Sequence, residues 1–589
     1  MLKAITRRCL TRGESRDSTM FSTTFPTRFY EMHFSSLPIW MPHYDDFATH
    51  HVRVLWVDAV CINQQDDEEK STQIPLMANI YRGATRVVAW LGPVGQGSHE
   101  EQGMKFLGIL PRHEGSLDKY IQQDNHDLRK HCPLCQVVCF FGLPWFSRLW
   151  VVQEIVLNID VQLFCGSYQL SWVRLAAAVG ILQSEKFWET LLSKRPHIAT
   201  LKTTVDLWKE PGLVKPTGPP PPWGREMKTP FTALIEFYRD FGCVDPRDRI
   251  YALCMISGQY GIRSSPPSSS VSDITFMPVD YDKTVDETYL TFTLACLETF
   301  GEQSSHGIMR SLLLRQYTSQ GSCWPSWAVD WRKKPAYPTR NSAESRFAIN
   351  YHGYIHPNMI KIAPLCDAVD DPRYGYSQVT NKIERSAFSD VDHFLLAVAH
   401  AFSEMDTPDG TPRAGTFASC LEKLLQSYWP NPNLLDDYLK DVYERHDTGV
   451  PNISKDFEKV LEDIEEATKQ LCFFQSSNPS GSLKFIGLGN DKLEETDRIV
   501  STVPNVNVVG SGYKVHIALI LRHLRMLEKD TLVKGKYGEI SEARPHSCLE
   551  EDATTGAVSS YRLIGSAMTV APLMKKIPEN GITRAFCLE

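Results

Sequence analysis

From residue 50 onward the apolar positions switch between two spacings. Val52 to Val57 is a short β-branched run ending in Asp58, and Arg86 to Leu91 is a second, stopped by Gly92 and Pro93. Both are expected to be buried strands. Between them Asp66 and Glu69 have capping-box spacing, and Ile74, Met77, Ile80 and Tyr81 fall at helical intervals before Gly83. The unit reads strand, helix, strand, which predicts an α/β fold with a mostly parallel sheet and a right-handed crossover. Pro75 removes one backbone hydrogen bond at a cost of roughly 3 kcal/mol, so a break in that helix is expected. Ser147, with Phe146 and Val151 spaced as a hydrophobic staple, predicts a helix to about Leu157. A third strand follows from Val161 to Cys165, ended by Gly166. The expected α/β core covers about residues 31–180.

Further along, Lys215 to Gly224 holds four consecutive prolines and is expected to be a stiff connector, followed by a helical extension over 225–335. Asp245-Pro246-Arg247-Asp248-Arg249 suits a turn that starts a helix through Ile250 to Ile256. Ser264 to Ser272 reads as a mobile loop, Thr284 to Phe300 is amphipathic, and Trp324 to Trp331 is an aromatic turn segment expected to pack onto the protein. Helical patterns return at 391–405, 418–428, 434–445 and 454–472, with β-like segments near 512–520 and 560–571. Residues 336–589 are therefore expected to form a larger, mainly helical region with some C-terminal strands.

Length and composition narrow the function classes. A chain of 589 residues exceeds what one core of roughly 250 to 300 residues can hold, so two or three folding units are expected. Hydrophobic residues at 42% and charged residues at 22% are ordinary globular values, and a net charge of −8 supplies no basic field for nucleic acid. The 15 cysteines lie mostly inside apolar runs, as in Val138-Cys139-Phe140, and read as reduced thiols. No run approaches 18 apolar residues, and the N-terminus lacks the apolar stretch of a secretory signal. A cytoplasmic protein without a membrane span is expected. Residues 1–30 read as a disordered tail; their arginines faintly suggest a presequence, against which Glu14 and Asp17 count. Cys132 and Cys135, with Cys139, His126 and His131 nearby, give one pair at zinc-like spacing without a second, so no metal is assigned. Phosphate-binding glycine loops, the Gly-x-Ser-x-Gly elbow and His-Glu-x-x-His are all absent.

Four blocks carry a family resemblance: Leu55 to Gln64 (Leu-Trp-Val-Asp-Ala-Val-Cys-Ile-Asn-Gln), Gln73 through Met77 to Tyr81, Ala84 through Gly92, and Pro144 to Glu154 with Cys165-Gly166. In order and spacing they resemble the fungal heterokaryon-incompatibility (HET) domain. Asp245 to Leu253 and Pro325 to Trp331 resemble blocks that follow in such proteins, so the likeness extends over about residues 36–335. Family members usually begin with a strand carrying Tyr-x-x-Leu-Ser-Tyr-x-Trp-Gly, and nothing between Met1 and His50 reproduces it. The first strand is therefore expected to be missing, which would leave a sheet edge exposed.

The resemblance implies a role in fungal non-self recognition and regulated cell death, acting as a signalling module through self-association or a protein partner. HET domains are also similar to TIR domains, some of which cleave NAD with a glutamate in a Trp-x-x-x-Glu helix. Trp150 and Glu154 match that spacing, which makes Glu154 the candidate catalytic carboxylate, Trp150 its shield, and NAD a candidate substrate with no resident cofactor. Asp58, at the carboxyl end of a strand, and Asn63 in the same loop are candidates to bind a ribose; the bland reading is that they tie the loop together. Arg148 is a candidate phosphate contact. An inactive, truncated paralogue that keeps only the scaffold is the third reading.

Overall fold

The computed structural model describes residues 2–6 and 54–588, apart from the stretches 113–132, 210–230, 262–274, 300–307, 312–323, 334–348, 365–376, 406–413, 426–431, 449–461, 466–470, 528–546, 550–557 and 573–582 and shorter gaps. The chain packs into two units, Met1–Thr288 and Tyr289–Glu589.

In the first unit the expected strand, helix, strand run is present. β2 (Val54–Trp56) leads into a one-turn helix α1 (Asp58–Cys61), then α2 (Asp67–Gly83) and β3 (Arg86–Trp90). Asp66 caps α2 by accepting the Glu69 amide at 2.9 Å, the bond that its sequence spacing calls for. Val87, Val88 and Ala89 are all buried, as befits a strand covered on both faces. β4 (Val161–Cys165) and β5 (Tyr168–Ser171) complete the sheet, and Gly166 makes the turn between them with φ +57°. Helices α3 (His99–Ile109), α4 (Pro133–Phe140), α5 (Val151–Val156), α6 (Trp172–Gln183), α7 (Phe187–Lys194), α8 (Ile198–Lys209), α9 (Phe231–Phe237) and α10 (Asp248–Cys254) belong to this unit, and two short strands, β6 (Tyr260–Gly261) and β7 (Thr275–Phe276), pair in parallel. α11 (Val285–Thr299) spans the division between the units in sequence.

Three expectations for this region are corrected. The sheet order is β2-β1-β3-β4-β5, where β1 is Leu2–Thr6, so part of the expected N-terminal tail is a strand and the empty first position is filled. β1 runs antiparallel to both neighbours, with Ala4 opposite Trp56 on one side and Val87 on the other. Only β3 and β4 pair in parallel, and the sheet is mixed rather than mostly parallel. Second, α2 continues through Pro75 without a break. The proline ring is buried in the core, and that apolar contact offsets the lost hydrogen bond. Third, no helix begins at Ser147. Pro144–Ser147 is a 3-10 turn, Arg148 is extended and bridges to Gly242, and α5 starts only at Val151. The Gly242 amide donates to Ser147 O at 2.6 Å and the Leu149 amide to Gly242 O at 3.0 Å, so backbone bonds to a distant segment take the place of the first helical turn.

In the second unit the expected helices appear as α12 (Val391–Ser403), α13 (Ala414–Leu425) and α14 (Pro432–Glu444). The unit is not mainly helical, however, among the described residues. Strands β8 (Ile349–Ile355), β9 (Met359–Pro364), β10 (Ser377–Glu384), β11 (Leu471–Ser477), β12 (Lys484–Asn490), β13 (Arg498–Val508), β14 (Tyr513–Leu527), β15 (Ser547–Leu549), β16 (Val558–Pro572) and β17 (Thr583–Leu588) form a ten-stranded sheet. β12 pairs with β16 as well as with β11, so β12-β11-β10-β13-β14-β16 close into a six-stranded antiparallel barrel. Cys472 and Phe474 point inward, with Val379, Ile499, Ile520 and Ala567. Phe473, Ile486, Leu488 and Val570 face outward and are covered by α12, α13 and α14. Strands buried on both faces read as continuous apolar runs such as Leu471-Cys-Phe-Phe, which hides their period from the sequence. The stretch 454–470 lies mostly outside the described residues, and Leu471 and Cys472 at its end open β11. The aromatic turn segment packs as expected: Trp327 is fully buried, Trp331 meets the edges of Tyr289 and Phe292, and Ser326 Oγ accepts the Leu563 amide at 3.0 Å. The Pro-rich connector and the 264–272 loop lie outside the described residues.

The position of β1 gives a direct test. Ala4→Pro removes an amide from a strand paired on both sides, and it should cost about 3 kcal/mol or more in chemical denaturation of the full chain. A tail would tolerate the substitution without loss of stability.

Candidate functional site

The candidate residues meet where the carboxyl end of β2, the last turn of α2 and helix α5 come together. Tyr81 near the end of α2 is fully buried, and the Trp56 ring meets it edge-on at 5.7 Å. Glu154, on α5, is only 1% exposed. Burial pushes its carboxyl up to about 8; the Arg148 guanidinium opposes that rise and Asp58 adds to it. The Trp145 indole also favours the ionised form, though its N–H is outside hydrogen-bond geometry. The same charges act on Tyr81, whose hydroxyl burial raises, with Glu154 and Asp58 adding to the effect. Glu154, Tyr81, Asp58 and Arg148 therefore form one electrostatic cluster.

The cluster contains buried polar atoms with no partner among the described residues: Trp56 Nε1, Tyr81 Oη, Trp145 Nε1 and Glu154 Oε2. Three are donors and one is a carboxyl oxygen, and leaving each unpaired costs on the order of 1 to 3 kcal/mol. Near neutral pH Glu154 is mostly protonated, because a neutral acid is far less costly to bury than a carboxylate.

The other candidates are spent locally or elsewhere. Asp58 is half-buried; its Oδ1 accepts the Ala59 amide at 2.8 Å, and its carbonyl accepts from Ile62 N and Gln64 Nε2. Asn63 is exposed; its Oδ1 accepts the Gln65 amide at 3.2 Å, and its own amide donates to Glu69 Oε1. Both side chains tie the loop, although the Asp58 charge still reaches Glu154. Arg148 is half-buried and contributes its charge to the cluster.

Trp150 shares a helix face with Glu154 by spacing, but its indole N–H donates to Asp248 Oδ2 at 3.0 Å. Trp145, earlier in the chain, is the indole that acts on Glu154. Asp248 is nearly buried, which pushes its carboxyl up to about 6 against the pull of its donors Tyr281 and Trp150; Tyr281 Oη donates to Oδ1 at 2.6 Å. Beside it, Arg247 makes a forked pair with Asp245, Nε to Oδ1 at 3.0 Å and Nη2 to Oδ2 at 2.7 Å. Gln153 Nε2 donates to Ala252 O at 2.9 Å inside the core. Tyr81, Trp145, Asp248, Tyr281 and Gln153 were not singled out from the sequence. Asp248 lies in the Asp-Pro-Arg-Asp block that drew attention for its turn, whereas nothing marks Tyr281.

Of the cysteine and histidine group, Cys132, His126 and His131 lie outside the described residues; Cys139 Sγ sits 4.0 Å from His99 Nδ1. Among the described residues no group of three His, Cys, Asp or Glu side chains could hold a metal ion. No helix among them is long and apolar enough to cross a membrane.

A short mixed sheet, a capped crossover helix and a second helix carrying a sealed acid define the class as an α/β domain built around a buried carboxyl. Residues 42–154 match the family model described as heterokaryon incompatibility protein (HET), a match that ends at Glu154. The chain is also similar to "Heterokaryon incompatibility protein 6, OR allele" of Neurospora crassa, with 31% identity over 153 residues, which is 22% of this chain and 22% of that protein. The likeness thus spans about a fifth of the relative's length. No solved structure matches. Asp245 to Leu253 and Pro325 to Trp331 fall outside the family match.

Glu154 has a measurable pH signature. Its carboxyl is raised in the fold, so the folded chain holds a proton that the unfolded chain releases above about 4.5. The stability this provides is complete below that value and is lost as pH rises through about 8. Denaturation at a series of pH values should show wild type falling relative to Glu154→Gln by on the order of a few kcal/mol between pH 4.5 and 8. A difference independent of pH would mean that Glu154 is ionised in the fold.

Proposed function

We propose that this chain acts in fungal heterokaryon incompatibility, with its HET domain as a signalling and interaction module in non-self recognition that leads to regulated cell death. The observation that carries this reading is the HET match over 42–154, supported by 31% identity to a protein named for incompatibility. The module works through association with itself or with a protein partner, in the cytoplasm. The local geometry is compatible with a resting module: Asp58 and Asn63 hold their loop, and Glu154 is sealed and protonated. Induced expression of the full chain in a filamentous fungus, scored by vital-dye uptake, is expected to arrest growth and kill fused cells. Full expression of folded protein with unchanged viability in fused and unfused cells would overturn this reading.

One observation favours a second reading, hydrolysis of the nicotinamide glycosidic bond of NAD. Glu154 has the strongly displaced pKa typical of functional carboxyls and stands beside the Arg148 charge. To offset a ribosyl cation it has to lose its proton and meet the substrate, so this chemistry requires a state in which Glu154 is less buried. NAD measured over time in cells expressing the wild-type chain or Glu154→Ala separates the readings. Depletion that disappears in the variant supports hydrolysis, and unchanged NAD in both removes it.

A further inference from the structure

The helix that carries Glu154 has only six residues, too few to hold itself in place by helical hydrogen bonds. Bonds to α10 hold its first turn, and a bond from the stretch before α11 holds α10 in turn. Asp248, at the start of α10, takes the Trp150 indole N–H on one carboxylate oxygen and the Tyr281 hydroxyl on the other. Gln153, the third residue of α5, donates to Ala252 O near the end of α10. The far end of this bracket is fixed in turn, because the Tyr281 amide donates to Ser71 Oγ on α2 at 2.9 Å. Lys70 and Arg247 also stack on the Tyr281 ring, at 4.8 and 4.9 Å from its centre. α5 is thus tied, through Asp248 and Tyr281, to the helix that supplies Tyr81 to the acid cluster.

We propose that Asp248 and Tyr281 form a latch that locks α5 through Trp150 and thereby keeps Glu154 sealed, so that release of this latch is the step that exposes the acid. The two sides of α5 differ in how well their polar groups are satisfied. On the latch side the Asp248 oxygens, the Trp150 N–H and the Gln153 amide nitrogen are bonded, at 2.6 to 3.0 Å, while Gln153 Oε1 is unpartnered among the described residues. On the sealed side Glu154 Oε2, Tyr81 Oη and Trp145 Nε1 are unpartnered among the described residues. Burial on the sealed side is unfavourable for those groups, and the bonds on the other side hold the helix against it. A small apolar pocket runs along α5, lined by Trp145, Val151, Val152, Ile155, Leu201 and Phe241, and leaves the helix less than fully packed on that flank. The latch does not depend on whether Glu154 serves catalysis or an interface, since it governs only exposure.

Hydrogen exchange on the full chain tests this directly. Tyr281→Phe keeps the ring and its cation contacts and deletes only the hydroxyl donor; Asp248→Asn keeps the shape and deletes the charge. In both variants the amides of residues 152–157 are expected to exchange at least tenfold faster than in wild type, with β3 and β4 unchanged. Exchange in 152–157 that matches wild type in folded protein would overturn the latch, as would a rise shared equally by β3 and β4. If Asp248→Asn fails to fold, Tyr281→Phe alone decides the matter.

Discussion

The first unit depends on one strand that arrives from outside the local pattern. Among the described strands β2 pairs with β1 alone, so without Leu2–Thr6 the segment that leads to Asp58 would have no ladder to join. Insertion of β1 also sets the distance that α2 has to span. β2 and β3 run parallel with one strand between them, about 10 Å apart at ordinary strand spacing. A crossover of that width places the end of α2 over the end of β2, where Tyr81 meets Trp56. The position of the acid cluster follows from a backbone pairing more than from any side chain in it.

The price of that arrangement is a set of buried polar atoms facing one another without hydrogen bonds. Aromatic packing holds them there: Trp145 and Phe146 stack edge to face at 5.0 Å, and Phe146 does the same with Phe140 and Phe141. Protonation of Glu154 reduces the cost, because the neutral acid avoids most of the desolvation penalty that a carboxylate would incur. The same reasoning separates Glu154 from Asp248. Asp248 is almost as buried, yet two donors converge on it and its carboxyl rises only to about 6. Two acids on neighbouring elements are thus tuned differently by what their oxygens touch.

Local signals in the sequence were reliable where a short run of chain decides its own structure. The Asp66 cap, the apolar stripe of α2, β3, β4 and the start of α10 could all be read from spacing and residue type. Elements that depend on distant partners could not. β1 lies in a segment whose basic, Ser/Thr-rich composition suggests a tail, and only pairing with β2 and β3 makes it a strand. The delayed start of α5 follows from the bridge between Arg148 and Gly242. Asn158 carried no signal at all, although its amide donates to Tyr81 O and Ala84 O at 2.7 and 2.8 Å and so satisfies carbonyls at the end of α2. For the acid cluster, Glu154 was found through a two-residue spacing, while its indole neighbour is Trp145 and the spacing-matched Trp150 belongs to Asp248.

The closed barrel of the second unit bears on how this protein can be made. Its ring closes where β12 pairs with β16, and the closing register sets Ile486 opposite Val570. Val570 also belongs to the outer core under α12, α13 and α14. During synthesis those helices and five of the ring's strands emerge before their last partner exists, with the edges of β12 and β14 open and apolar surface uncovered. The ribosome has to deliver residues 558–572 before either core is complete, so the nascent chain is exposed to chaperones and to misassociation for most of the time its second half takes to appear.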